Sequence, residues 1–193
     1  MNVGTNRAMY KYVELHCHSN YSFQEGASRI EELVVRAMEL GYPAMALTDH
    51  NNLCGALEFA RTAHSIGIQP ITGCEVTLQG GNHITLLAAT NKGYSNLCRL
   101  ISAAHMSGDR RKPELDPSLL PNHAQGLILL TGCSKGEVPS LVTSGHLPEA
   151  RSKLREYLDW FGSGNVFLEM QHNFVYGDTE RNHRLVALGN LQA

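Results

Sequence analysis

The fold is predicted from the stretch Tyr12-Val13-Glu14-Leu15-His16-Cys17-His18-Ser19. Side chains in a β-strand alternate between its two faces, so His16 and His18 are expected to project from the same face. Two imidazoles spaced in this way at a strand end form a bidentate metal site. A His-x-His pair also occurs at exposed strand ends that bind nothing, so its weight depends on the residues that accompany it.

Further potential metal ligands follow the other predicted strands. They lie in Thr48-Asp49-His50, in Gly73-Cys74-Glu75, at His83 and in Thr131-Gly132-Cys133. In a barrel of alternating strands and helices, side chains from successive strand ends meet at one face and build the active site. The sequence therefore predicts one cleft that collects ligands from several strands.

Strand and helix patterns alternate over residues 11–191. Strands are expected at about 11–17, 44–48, 68–76, 83–89, 127–131 and 165–170. Helices are expected at about 29–41, 53–66, 94–106, 135–144, 147–161 and 178–191, with a short helix inside 113–122. Such repeated units predict an α/β fold with a mostly parallel sheet, open or closed. The short turn Gln79-Gly80-Gly81-Asn82 makes the third and fourth strands antiparallel.

The first two predicted helices are amphipathic. Ser28 is expected to cap the first helix, with Glu31 completing a capping box. The residues expected on its buried face are Ile30, Leu33, Val34, Ala37 and Met38. Those expected on the buried face of the second helix are Leu53, Leu57, Ala60 and Ala63.

Length and composition indicate one domain or most of one, with residues 1–10 as a flexible lead-in and 11–193 as the domain. Lys and Arg number 16 against 18 Asp and Glu, a net charge of -2, so the surface as a whole has no basic field for nucleic acid. The five cysteines form no Cys-x-x-Cys, and neither a secretory signal nor a long apolar run is present. A reduced, cytoplasmic protein without a membrane partner is expected.

The candidate ligands are imidazoles, carboxylates and one thiol. Imidazole binds zinc, iron or manganese, and carboxylates add affinity for manganese or magnesium. The candidates outnumber the four ligands of one tetrahedral site, so two or more ions are expected. Two ions about 3.5–4 Å apart suit phosphate ester hydrolysis, with a bridging hydroxide as the nucleophile.

These motifs resemble those of the PHP (polymerase and histidinol phosphatase) superfamily. The residues that carry the resemblance are His16-Cys17-His18-Ser19, Thr48-Asp49-His50, Gly73-Cys74-Glu75 and His83-Ile84-Thr85-Leu86-Leu87-Ala88. Residues 14–23, Leu130-Thr131-Gly132-Cys133 and Gly177-Asp178-Thr179-Glu180-Arg181-Asn182 are similar to the N-terminal PHP domain of bacterial DNA polymerase III alpha subunits. The error-prone branch of those subunits fits best, and the resemblance covers nearly all of residues 11–191.

The resemblance implies a distorted (β/α)7 barrel of the TIM type with a trinuclear metal cleft. It also implies phosphoesterase or 3′–5′ exonuclease activity where the ligands are kept. The metal ligands that it implies are His16, His18, Glu25, His50, Glu75, His83 and Cys133. Catalytic roles are expected for His16, His18, His50 and Glu75. Glu25 stands where relatives usually have Asp. The cofactor expected is two or three ions of zinc or manganese, with magnesium as an alternative.

Some neighbouring residues are given other roles. Asp49 is expected to support a ligand or cap a helix rather than to bind metal directly. Cys17 and Cys74 are expected to pack as small hydrophobic residues, facing away from the ligands. His172 follows the sixth strand, and it is a weaker candidate for the cleft mouth.

The family's closing strand, with its Asp-x-His pair, is not found, so a barrel truncated before its last strand is expected. Three functions remain open: a phosphoesterase domain that removes 3′ nucleotides within a polymerase, a non-catalytic scaffold of the same polymerase, and a free-standing phosphatase like histidinol phosphatase. His16, His18 and His50 favour the first over the second. Its expected partners are the primer 3′ end of DNA and other replication subunits.

Overall fold

The computed structural model describes residues 12–107 and 111–191, so the expected lead-in at 1–10 lies outside the described residues. The strands are β1 (Ala44–Leu47), β2 (Gln69–Thr77), β3 (His83–Ala88), β4 (Leu127–Leu130) and β5 (Val166–Phe167). The α-helices are α1 (Ile30–Glu39), α2 (Ala56–Ser65), α3 (Asn91–Met106), α4 (Leu120–His123), α5 (Glu137–Thr143), α6 (Leu147–Phe161) and α7 (Asp178–Asn190). Short 3-10 turns occur at Pro117–Leu119 and Ser163–Asn165.

The strands form one mixed sheet in the order β1-β2-β3-β4-β5. β1 pairs parallel to β2 and β4 parallel to β5, whereas β3 is antiparallel to both of its neighbours. The predicted antiparallel pairing of the strands on either side of the turn at 79–82 is confirmed. In residues 12–107 and 111–191 the sheet has five strands, so the α/β class is confirmed and the (β/α)7 barrel is not.

The stretch around His16 is extended but is not the regular strand that was predicted. It lies along β1, where Glu14 forms a single parallel bridge to Met45 and Thr48 N donates to Cys17 O at 2.9 Å. Two backbone N–H groups of this stretch bond to side chains instead of to a neighbouring strand. Cys17 N donates to Thr48 Oγ1, and His16 N donates to Glu14 Oε1. Such local bonds compete with a strand ladder and interrupt it.

The predicted strand at 165–170 is shorter in the structure and covers Val166–Phe167. Beyond it, Glu169 N donates to the side-chain oxygen of Thr131 at 3.0 Å instead of to a neighbouring strand. This bond ends the ladder and leaves the following residues free to turn toward the cleft.

Alternation along β2 and β3 separates the core from the cleft. Cys74 and Val76 are buried in the main hydrophobic core with Leu86 of β3, as was expected for Cys74. The intervening residues of these strands, including Glu75 and His83, therefore face the other side of the sheet. α3, α5, α6 and α7 cover the core side, and each buried Leu contributes roughly 1.5–3 kcal/mol through removal from water.

A second core holds α1 and α2 against β1, and Cys17 packs at its edge. α1 is capped one residue later than predicted, because Arg29 N donates to Glu32 Oε2 at 2.8 Å. The predicted buried face of α2 is confirmed at Ala63 but wrong at Leu57, which is 62% exposed, and Phe59 is buried instead. Phe59 buries more apolar surface than Leu57 would, and packing of this ring sets the rotation of the helix.

Candidate metal centre

Hydrogen bonds between neighbouring chain segments bring the predicted ligands together. The His16–His18 stretch lies beside β1, and the residues after β1 continue beside β2. There, Glu75 N donates to Thr48 O at 3.2 Å and Asn51 N donates to Glu75 O at 2.8 Å. His50 thereby forms a bridge to Glu75, and His83 reaches the same place from β3.

The candidate ligands form two groups of three that share Glu75. One group is His16, His18 and Glu75, and the other is His50, Glu75 and His83; the ligand atoms within each group lie within 4.8 Å of one another. Glu75 Oε1 is 3.4 Å from His16 Nε2 and 3.2 Å from His83 Nδ1. Glu75 Oε2 is 3.4 Å from His18 Nε2. This buried carboxylate therefore stands between two sets of imidazoles, as a residue bridging two ions would.

Burial and charge tune the protonation of the cluster. Burial by itself raises the pKa of Glu75, but the adjacent imidazoles of His16 and His83 outweigh it and hold the pKa of this carboxyl well below its usual range. Burial lowers the pKa of His16, but the bonds to Glu169 and Glu75 outweigh it and raise that pKa to about 10. Burial is the main cause of the lowered pKa of His18. An ionised carboxylate and a neutral imidazole are the forms that bind metal.

The donor set fits a divalent metal. Within residues 12–107 and 111–191, three buried polar atoms of the cleft lack a hydrogen-bond partner: His18 Nε2, His83 Nδ1 and Glu169 Oε2. Leaving such a group unpaired costs about 1–3 kcal/mol. His18 belongs to one group of three and His83 to the other. A cation bound beside Glu75 in each group would give the unpaired imidazole nitrogen its partner. Zinc and manganese suit these nitrogen and oxygen donors.

Glu25 and Cys133, the other predicted ligands, lie at the margin of the cluster and outside the two groups of three. Glu25 Oε2 is 2.7 Å from His50 Nδ1 and 3.8 Å from His18 Nδ1. Cys133 lines the same cleft, and its Sγ accepts a hydrogen bond from Lys135 N at 3.4 Å. Burial raises the pKa of the Cys133 thiol to about 11.

Asp49 is buried beneath the cluster and lies outside both groups of three. Its Oδ1 accepts from Ser19 N at 2.7 Å and from Ser22 Oγ at 2.6 Å, and its Oδ2 accepts from Ser19 Oγ at 2.8 Å. Ser22 Oγ accepts in turn from His50 N. Both carboxylate oxygens of Asp49 are thus engaged inside the protein, and the loop they hold connects to His50.

His172, the weaker candidate for the cleft mouth, lines the cleft but does not join either group. Its Nε2 lies 3.3 Å from Thr179 Oγ1, and its ring packs edge-on against Phe174. Arg181 Nη2 and Asn182 Nδ2 bind the carbonyl of Gln171 just before it, which fixes the chain in this direction.

Two residues of the cleft were missed by the sequence analysis. Glu169 Oε1 lies 2.6 Å from His16 Nδ1, and Gln171 Nε2 donates to Glu169 Oε1 at 2.6 Å. Glu169 follows a strand, as His50 and Cys133 do, so the rule that selected those residues would have selected it as well. The motif-based resemblance drew attention to other positions instead.

Gly26, the residue after Glu25, stands at a position where only glycine fits. Gly26 N donates to Ser22 O, and a Cβ on Gly26 would lie far inside the van der Waals contact distance of Ser19 O. This close approach folds the loop back on itself and presents Glu25 to His50. A side chain larger than hydrogen at position 26 would push the two backbone segments apart.

Gly26→Ala is therefore expected to lower the free energy of unfolding of the metal-free protein by about 1–3 kcal/mol, the usual cost of overpacking. Urea denaturation in excess chelator measures the change. Gly164→Ala is the matched control, because a Cβ there meets nothing within 4 Å. Equal stability of the two variants would contradict the close packing of this loop.

Comparison with known proteins places these features in a family. The sequence model of the PHP domain family matches residues 14–173 of this chain. The chain is 45% identical over 194 residues to an error-prone DNA polymerase of Symbiobacterium thermophilum. This match covers 92% of this chain and 18% of that protein. The chain is 40% identical over 178 residues to a DNA polymerase III subunit alpha of Treponema pallidum, covering 85% of this chain and 15% of that protein.

The chain also shows similarity to a solved two-domain protein of Bacteroides vulgatus, described as containing a predicted PHP-like metal-dependent phosphoesterase. The match has a TM-score of 0.46 and 16% identity, and it covers 81% of this chain and 49% of that chain. The chain spans less than a fifth of the length of the two polymerase relatives described above. Among the described helices, none is both long enough and apolar enough to cross a membrane.

Proposed function

The chain belongs to the PHP domain family, and on this premise we propose that it is the phosphoesterase domain of a bacterial DNA polymerase III alpha subunit of the error-prone type. The proposed reaction is metal-dependent hydrolysis of phosphoesters, with removal of nucleotides from a 3′ end as its form in the polymerase. DNA, other replication subunits and a cytoplasmic location belong to the same proposal. The identity of 37–45% to error-prone polymerases supports the polymerase context.

The sharing of Glu75 between the two groups of three carries this proposal. The residues of the two groups would hold divalent ions beside this shared carboxylate. Bound there, divalent ions would lower the pKa of a water molecule and neutralise charge on the phosphate oxygens. His16, His18, His50 and His83 would hold the ions, and we include Glu25 and Cys133 as ligands at the margin of the cluster.

Other groups of the cleft serve substrate binding in this proposal. The cleft has a volume of about 1460 Å³, which leaves room for a nucleotide beside the cluster. Lys135 stands at its mouth with a side chain that is 63% exposed, and its Nζ is 3.6 Å from Glu25 Oε1. A phosphate oxygen of the substrate would be its stronger partner, since the exposed pair with Glu25 contributes little.

The proposal is tested by metal content and by hydrolysis. Protein purified without chelator is expected to contain zinc or manganese at or above one ion per chain, and chelator is expected to lower its melting temperature because a ligand that binds only the folded state stabilises it. Elemental analysis and thermal melting measure these two results. With Mn²⁺ or Zn²⁺ restored, the protein is expected to hydrolyse p-nitrophenyl phosphate or to shorten a 5′-labelled oligonucleotide from its 3′ end.

The alternatives give different results in the same assays. Metal binding and stabilisation with no hydrolysis of either substrate would favour the non-catalytic scaffold. Hydrolysis of small phosphomonoesters alone would favour a free-standing phosphatase. A metal-free protein with undiminished stability would contradict the metal site itself.

A further inference from the structure

We propose that Glu169 orients His16 for metal binding and that Gln171 and the first turn of α7 hold Glu169 in place. The inference rests on the proposed metal site and adds a positioning residue to it. It also gives a role to the block Gly177–Asn182, which the proposed reaction does not use.

The contact between Glu169 and His16 fixes the imidazole. Glu169 Oε1 lies 2.6 Å from His16 Nδ1, which is a charge-assisted hydrogen-bond distance and leaves no room for an ion between the two atoms. On the other side of the ring, His16 Nε2 faces Glu75 Oε1 at 3.4 Å. Nδ1 therefore carries the proton that Glu169 accepts, and Nε2 is left facing Glu75, where loss of its own proton would free a lone pair for a metal ion. A carboxylate partner of this kind sets the tautomer and the ring orientation of a metal-binding histidine.

Glu169 is itself held on one side only. Gln171 Nε2 donates to Glu169 Oε1 at 2.6 Å. The backbone N–H of Glu169 donates to Thr131 Oγ1 at 3.0 Å. Its Oε2 is buried and has no partner among the residues that the structure describes. Buried carboxylates with a purely structural role have their oxygens hydrogen-bonded. The bonding of Glu169 is instead concentrated on the oxygen that contacts His16.

The start of α7 fixes the segment that carries Gln171. Arg181 Nη2 and Asn182 Nδ2 donate to the carbonyl of Gln171 at 3.2 and 3.1 Å. Asp178 Oδ2 accepts from Asn173 N at 2.7 Å and from Val175 N at 3.2 Å. Asp178 Oδ1 and Arg181 Nη2 form a buried pair at 2.8 Å. A continuous set of bonds thus runs from α7 through Gln171 and Glu169 to His16.

The test compares wild type with Glu169→Ala, Glu169→Gln and the control Glu137→Gln. Glu137 is also a partly buried, hydrogen-bonded glutamate, but it pairs with Tyr157 and Lys153 away from the cleft. Zn²⁺ affinity and stoichiometry are measured by competition with a chromogenic chelator. Glu169→Ala is expected to weaken binding about 10–100-fold at unchanged stoichiometry. Glu169→Gln is expected to recover part of the loss, because its amide oxygen still accepts the Nδ1 proton, and Glu137→Gln is expected to bind as wild type does.

A second readout reports on His16 directly. In ¹⁵N–¹H NMR spectra of the Zn²⁺ form, the ring of His16 is expected to carry its proton on Nδ1 in wild type, and this slowly exchanging signal is expected to disappear in Glu169→Ala. Wild-type affinity of Glu169→Ala in the zinc competition assay would overturn the inference, and so would the loss of one bound ion, which would make Glu169 a ligand. If wild type binds no ion, the proposed function fails together with the inference.

Discussion

His16→Ala is expected to slow phosphoester hydrolysis by about a thousandfold or more, and Glu75→Ala is expected to abolish it. Each thousandfold corresponds to about 4 kcal/mol of transition-state stabilisation. His16 belongs to one group of ligands, whereas Glu75 belongs to both, so the second substitution disturbs both proposed ions. The loss follows from removing the ions that activate water and neutralise the phosphate.

The measurement is the steady-state rate with p-nitrophenyl phosphate and saturating Mn²⁺, together with the number of ions bound. His16→Ala is expected to retain more metal than Glu75→Ala. His64→Ala serves as the control, because His64 is exposed on α2. Equal rates for wild type and His16→Ala would show that the activity comes from a contaminant and would restore the scaffold function.

The candidate site was more predictable from sequence than the fold that carries it. His16 and His18 meet Glu75 as predicted, although their stretch is not a regular strand, because any extended backbone places alternate side chains on one face. Glu75 and His83 were predictable for the same reason, since both lie on paired strands with alternating burial. Short-range geometry was sufficient for these four residues.

Longer-range packing accounts for what was not predicted. Glu169 reaches His16 from 153 positions away, and its direction depends on the bond that it donates to Thr131 and the bond that it accepts from Gln171. The length of the strand at Val166–Phe167 depends on the same bond from Glu169 to Thr131. The rotation of α2 depends on how Phe59 packs in the second core. The contacts of Glu169 leave no periodic signal in the sequence.

Asp49→Ala is expected to destabilise the protein by roughly 3 kcal/mol or more in the presence and in the absence of metal. Asp49 is 2% exposed and accepts three hydrogen bonds, from Ser19 N, Ser19 Oγ and Ser22 Oγ. Each donor left unpaired in a buried place costs about 1–3 kcal/mol. For a chain of this size, the melting temperature is expected to fall by about 6–12 °C.

The behaviour in excess chelator separates a structural carboxylate from a ligand. Asp49→Ala is expected to melt well below wild type there, because its hydrogen bonds are made within the chain and need no ion. A carboxylate that acts only as a metal ligand would show the opposite behaviour, because its loss would lower the melting temperature only when metal is present. Asp159→Ala, an exposed change on α6, controls for loss of a carboxylate. If Asp49→Ala melts as wild type does in chelator and loses only metal affinity, Asp49 is a ligand and the support that we assign to it for His50 is wrong.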